Sequence, residues 1–140
     1  IAAGQTLPLK GKVFISVCDA DKRDAVQLAK QFARQGFTIV TTEGTYKTFK
    51  RHAIHAEQVK KISEGRPNML DLVKNGEIAL VINTPTGKGH HTDEAKIRSA
   101  MVLHNIPCIT TIAGAQAAVN GIESMSDGYN VKALQDYFSG

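Results

Sequence analysis

Short apolar runs alternate along the chain with segments in which apolar side chains recur every three or four positions. Lys12 to Cys18 (Lys-Val-Phe-Ile-Ser-Val-Cys) is nearly continuous in apolar residues, as a parallel strand covered on both faces should be. Ala25, Leu28, Ala29, Phe32 and Ala33 then recur at helical spacing, with Asp19 or Asp21 as the cap and Gly36 as the stop. Phe37 to Thr41 predicts a second strand, and a helix from about Thr45 carries Tyr46, Phe49 and Ala53 on one side. A short, poor strand near His55–Val59 leads into the polar loop Lys60–Arg66. Pro67 suits the first turn of the next helix, whose apolar side is Leu70, Leu72 and Val73 and whose stop is Gly76. Ile78 to Ile82 (Ile-Ala-Leu-Val-Ile) is the clearest strand pattern, and it runs into a Gly- and Pro-rich loop from Asn83 to His91. Helical spacing returns over Asp93–His104, with Ile97, Ala100, Met101 and His104 in register. A last strand is predicted over Cys108–Ile112 and an Ala-rich helix over Ala113–Ile122. Ser126-Asp127-Gly128 then predicts a turn before an amphipathic segment carrying Val131, Leu134 and Phe138.

Five strands alternating with helices imply right-handed crossovers and a parallel sheet with helices on both faces, a three-layer, Rossmann-like α/β sandwich. Residues 1–11 lack periodicity and read as a linker into a domain spanning 12–140. Ligands of such sheets bind beyond the carboxyl ends of the strands. Here those ends are Cys18–Lys22, Thr41–Thr45, Lys60–Arg66, Asn83–Gly89 and Thr110–Gly114, and most of them carry the Thr, Asn or Lys that suits a phosphorylated ligand.

Composition narrows the class. With 140 residues, 42% of them apolar, the chain is one domain large enough to bury a core without staples. A net charge of +4 is compatible with an anionic ligand, but the basic residues are scattered without interleaved aromatics, which speaks against nucleic acid. Cys18 and Cys108 form no C-x-x-C pair and no disulfide framework, which fits buried thiols in a reducing, cytoplasmic compartment. No apolar stretch is long enough to span a bilayer. The chain begins at Ile1 with no signal-peptide pattern and reads as a piece of a longer polypeptide.

The most suggestive stretch is Gly36 to Thr45 (Gly-Phe-Thr-Ile-Val-Thr-Thr-Glu-Gly-Thr). Thr42 and Thr45 place hydroxyls at a strand-to-helix turn that Gly44 lets fold tightly, and such a turn aims backbone N–H groups and a helix dipole at one spot. A phosphate is the expected occupant, although Thr and Gly also serve as plain caps at such turns. Lys22 and Lys61, each just past a predicted strand, are point-charge partners for it, with Lys60 a competing choice. Asn83, Thr84 and Thr86 are either turn formers or readers of a base or ribose. His90 and His91 adjoin Asp93, but no thiolate or further carboxylate stands at a convincing ligand spacing, so no metal is expected. There is no Gly-x-Ser-x-Gly elbow, no Walker phosphate loop and no dinucleotide fingerprint.

These residues resemble the carboxy-terminal regulatory domain of the large subunit of carbamoyl-phosphate synthase, which has the methylglyoxal-synthase-like fold. The resemblance covers about residues 11–125 and rests on Gly11-Lys-Val-Phe-Ile-Ser-Val, Asp21-Lys22, Gln35-Gly-Phe, Thr42-Glu-Gly-Thr45, Glu64-Gly-Arg-Pro67, Lys74-Asn-Gly-Glu77, Val81-Ile-Asn-Thr84 and Ile97-Arg98. It implies a non-catalytic domain that binds a nucleotide monophosphate such as UMP or IMP. Lys22, Thr42, Thr45 and Lys61 would hold the phosphate, and Asn83, Thr84, Thr86 and Lys88 would approach the ribose and base. The resemblance implies no cofactor in this domain. The parent enzyme would use ATP with Mg or Mn, and its partners would be the preceding synthetase domains and a glutaminase small subunit. Ornithine-sensing relatives carry Tyr-Asp-Thr where this chain has Cys108-Ile109-Thr110, which leaves Thr110 alone on an ornithine side. Pro85 and Gly89 also depart from the family loop and leave the base preference open.

The alternative is a methylglyoxal synthase-type lyase acting on dihydroxyacetone phosphate. His90 and Asp93 resemble that enzyme's His-x-x-Asp, and Asp19 its aspartate after the first strand. Its chemistry needs a carboxylate to abstract a carbon-bound proton. The enzyme's Gly-Gly-Asp aligns with Glu64-Gly65-Arg66, and a guanidinium accepts no proton at neutral pH.

Overall fold

The computed structural model describes residues 8, 10–85 and 91–139, the side chains of 91–93 and 126–139 excepted. Its elements are β1 (Lys12–Ser16), α1 (Lys22–Arg34), β2 (Thr38–Thr41), α2 (Glu43–Arg51), β3 (Glu57–Gln58), α3 (Met69–Lys74), β4 (Ile78–Asn83), α4 (His91–Leu103), β5 (Cys108–Ile109) and α5 (Ile112–Ser139). The sheet is all parallel in the order β3-β2-β1-β4-β5. From β1 the chain builds outward to β2 and β3, then returns past β1 to add β4 and β5. With right-handed crossovers, that reversal sends the helices before and after it to opposite faces.

The core follows this division, and the period-2 alternation of the strands feeds both halves. Val13 and Ile15 of β1 with Leu80 and Ile82 of β4 face a cluster containing Leu28 and Phe32 of α1, Phe49 of α2 and Val119 and Ile122 of α5. Phe14, Val40 and Val81 face the other way, onto Met69 and Val73 of α3 and Ile97 and Met101 of α4. Ile78 breaks the alternation by joining the second cluster. The cause is a bulge: Lys12 pairs with Ile78 and Val13 with Leu80, which leaves Ala79 unpaired.

Gly11 stands against that bulge. Its φ is +123°, and a Cβ there would lie 2.9 Å from Ala79 Cβ. Gly11→Ala is expected to cost about 1–3 kcal/mol, from backbone strain in a region that L residues avoid plus the close approach. An unchanged urea midpoint would show that neither matters.

Several sequence expectations give way to local chemistry. The helix expected from Thr45 begins at Glu43, with Thr42 at the cap position, and ends at Arg51, so Ala53 lies outside it with φ 58°. On α1 the buried face includes Val26, whereas Ala33 is exposed. Pro67 precedes α3 rather than opening it. Asn68 caps that helix, its side chain accepting from Leu70 N–H while Asp71 accepts from Asn68 N–H. The last strand stops at Ile109 because Thr111 caps α5, its Oγ1 accepting from Gly114 N–H at 3.0 Å. The turn expected at Ser126-Asp127-Gly128 is absent, and α5 runs on to Ser139. Those residues weaken a helix without breaking it, since no proline interrupts the backbone hydrogen bonds. The two cysteines are half-buried rather than buried.

Candidate functional site

Beyond the carboxyl ends of β1 to β4 the sheet opens on a pocket of about 510 Å³. Lys22, Thr42, Thr45, Lys61, Asn83 and Thr84 all line it, although they come from four separate connections. Thr110 does not. It is exposed just past β5, outside the pocket. Thr86 and Lys88 lie outside the described residues, as do His90 and the side chains of His91 and Asp93.

The pocket is built around the start of α2. Thr41 anchors the approach, its buried hydroxyl donating to Ile15 C=O at 2.5 Å and fixing the end of β2 against β1. Thr42 has extended φ/ψ and Thr45 sits one turn further on, both buried. The Thr42 hydroxyl makes no capping hydrogen bond, so no side chain from the cap position satisfies the first amides of α2. The Lys22 ammonium lies directly above this turn, since a Cβ on Gly44 would be only 3.3 Å from Lys22 Nζ. A side chain there would push the ammonium aside by a few tenths of an ångström. A cation against the positive end of a helix is electrostatically unfavourable, and an anion between the two reverses the sign of both interactions.

Asp19 partly offsets this excess. Its carboxylate accepts from Lys22 Nζ at 2.5 Å, a bond that holds the Asp19 carboxyl below its ordinary range. It is almost wholly exposed, so water screens the pair and leaves the ammonium available to a ligand. Among the described residues Glu94 is the other carboxylate on the wall, against Lys22, Lys60, Lys61 and the helix terminus.

Thr84 has a structural task. Its Oγ1 accepts from Cys18 N–H at 3.0 Å and its N–H donates to Ser16 C=O at 3.1 Å, which ties the ends of β4 and β1 together. The hydroxyl keeps its own proton to donate. Asn83 is half-buried and paired in register with Ser16.

Lys60 and Lys61 are positioned by a loop whose order was not read from the sequence. Lys60 N–H donates to Pro67 C=O at 3.0 Å, and Glu64 Oε1 accepts from Lys61 N–H at 2.9 Å. Asn68, buried, closes the loop by donating from Nδ2 to Gly65 C=O at 2.9 Å while capping α3. Its signal was available in Asn68-x-x-Asp71, a capping box. Asp71 also binds Arg66 Nε at 2.7 Å, and Arg66 together with the Asn68 N–H holds the Asp71 carboxyl below its ordinary range. A carboxyl depressed by folding stabilises above its ordinary range and loses that contribution as pH falls through it, so this loop loosens in acid. Asn68→Ala is expected to cost about 1–2 kcal/mol of stability, because it removes the cap of α3 and the bond that closes the loop onto Gly65. If the thermal midpoint does not move, the loop is held by something else.

Glu64 and Arg66, the positions aligned with a lyase's proton-abstracting segment, are both committed to that loop, and neither lines the pocket. Among the described residues no three His, Cys, Asp or Glu side chains gather as a metal site, and no helix is long and apolar enough to cross a membrane.

A parallel five-stranded sheet with a cation-rimmed pocket at its topological switch defines a doubly wound α/β class, with the pocket where ligands of such sheets bind. The family model of the MGS-like domain matches residues 24–110, and the chain belongs to that family. Over 99% of its length it is 45% identical to the C-terminal section of the carbamoyl phosphate synthase large chain of Aquifex aeolicus, of which it covers 27%. The corresponding section from Methanopyrus kandleri is 47% identical over the whole chain, which covers 26% of it. The large chain of Acidobacterium capsulatum is 53% identical over 87% of the chain, which covers 11% of that protein. The chain thus spans about a quarter or less of these relatives. The crystal structure of methylglyoxal synthase from Elizabethkingia anophelis NUHP1 superposes with a TM-score of 0.62 over 82% of this chain and 80% of that one, at 19% identity, a likeness of fold.

Proposed function

We propose that the chain is the effector-binding domain at the C-terminus of a cytoplasmic carbamoyl phosphate synthase large chain, and that its rim pocket takes a nucleotide monophosphate of the UMP or IMP type. The observation that carries this reading is Lys22 Nζ standing over Gly44 at the uncapped start of α2, with Thr42, Thr45 and Lys61 on the same walls. Those groups bind a dianionic phosphate, and the remaining length of the pocket, toward Asn83 and Thr84, accommodates the nucleoside. ATP, its divalent cation, the glutaminase small subunit and the synthetase domains then belong to the parent enzyme, whose output the bound nucleotide sets. Such control is a coupling free energy between this pocket and sites elsewhere in that enzyme. Thr110, outside the pocket, contributes nothing to nucleotide binding on this reading.

Calorimetric titration of the chain with UMP and with IMP tests the proposal. Saturable 1:1 binding of at least one is expected. Binding of neither, together with phosphate release from dihydroxyacetone phosphate, would replace it with the lyase.

A further inference from the structure

Glu94 has the wrong sign for a phosphate site. It lines the rim pocket together with Lys22, Lys60 and Lys61, and its carboxylate repels the anion that those ammoniums attract. A place near the start of α4 suits an acid, because the helix dipole is positive there. The dipole does not explain the direction in which Glu94 faces. Glu94, Ile97 and Met101 are spaced i, i+3 and i+7, and Ile97 and Met101 are buried against the sheet with Phe14 and Val81. The stripe of α4 that packs on the sheet thus continues at Glu94, which reaches the pocket beyond the strand ends.

The two faces of the sheet separate Glu94 from the phosphate locus. Phe49 of α2 packs with Val13 and Ile15 on one face, whereas α4 lies with Phe14 and Val81 on the other. Both helices line the pocket, which therefore crosses the strand ends from face to face, with the start of α2 on one side and Glu94 on the other. On the α4 side the wall includes Phe14, Ile62, Met69 and Ile97. Such apolar surface does nothing for a phosphate and covers the face of a flat heterocycle. A carboxylate beside it accepts hydrogen bonds and donates none, so it favours a base that offers a donor.

We infer that Glu94 is a specificity-determining residue whose carboxylate accepts from the ring N–H of the bound base, so that the domain selects bases with a lactam N–H, as in uracil and hypoxanthine. The inference rests on the rim pocket being the nucleotide site, and the test separates the two. UMP and IMP are titrated into the chain beside N3-methyl-UMP and N1-methyl-IMP, in which a methyl group replaces the donor proton. Whichever parent nucleotide binds should do so at least about tenfold more tightly than its methyl form, as for a charge-assisted hydrogen bond. Glu94→Ala should reduce that preference to within about threefold, and Glu94→Gln, which keeps an acceptor, should retain part of it. Neither substitution should weaken the binding of inorganic phosphate. Equal binding of parent and methyl form by the unaltered chain overturns the role of Glu94, as does a preference that survives Glu94→Ala. A fall in phosphate affinity in Glu94→Ala also overturns it, since that marks a structural role. Failure of the unaltered chain to bind either UMP or IMP would bring down the rim site itself, and this inference with it.

Discussion

Lys22→Ala should weaken UMP binding by about 1.5–3 kcal/mol, roughly a factor of 10 to 100, with little change in the stability of the fold. The affinity falls because Lys22 supplies the ammonium nearest the first turn of α2, and the amides of that turn lose the cation with which they share the ligand's charge. Stability holds because the one ion pair removed, Lys22 with Asp19, joins a partly exposed ammonium to an almost wholly exposed carboxylate, and water screens such a pair. Thr42→Ala should lower affinity in the same direction, since the Thr42 hydroxyl is buried at the pocket wall and makes no bond to its own helix. Calorimetry and thermal melting of the same samples separate the effects. Unchanged affinity in both variants would take the phosphate away from α2.

Phe14→Ala should be the most damaging single change to the fold, about 3–5 kcal/mol as the fall in unfolding free energy. Phe14 is 1% exposed at the centre of β1, where it faces Met69, Val81, Ile97 and Met101. That cluster is the smaller of the two halves of the core, so few other side chains share the load. Phe14 also reaches the floor of the rim pocket, so the cavity opens toward the ligand site and UMP affinity should fall with stability. Phe14→Leu keeps most of the volume and should cost less than about 1.5 kcal/mol. Equal losses from Leu and Ala would mean that ring shape rather than volume sets the cost.

How much of this was legible in the sequence follows from the range of the interactions involved. Strand positions were readable because a sheet buried on both faces demands continuous apolar runs, and Lys12–Cys18 and Ile78–Ile82 supply them. The rim residues were readable for a topological reason: in a parallel sheet every strand's carboxyl end points the same way. Lys22, Thr42, Thr45, Lys61, Asn83 and Thr84 therefore converge whatever the details of the loops. What went unread depends on single hydrogen bonds or single extra residues. Thr111 and Asn68 each replaced the expected boundary of an element by capping a helix. The bulge at Ala79 moved Ile78 to the opposite face with no compositional sign. The height of Lys22 above Gly44 is a distance between two helices, and no periodicity encodes it.

Both margins of the sheet are only two residues long. On one side Glu57 and Gln58 pair with Val40 and Thr41, and on the other Cys108 and Ile109 pair with Val81 and Ile82. A stranger's extended chain finds too few free amides and carbonyls in either place to add itself, and at Glu57 it also meets a charge. At high concentration the molecule is thereby protected from stacking edge to edge into fibrils.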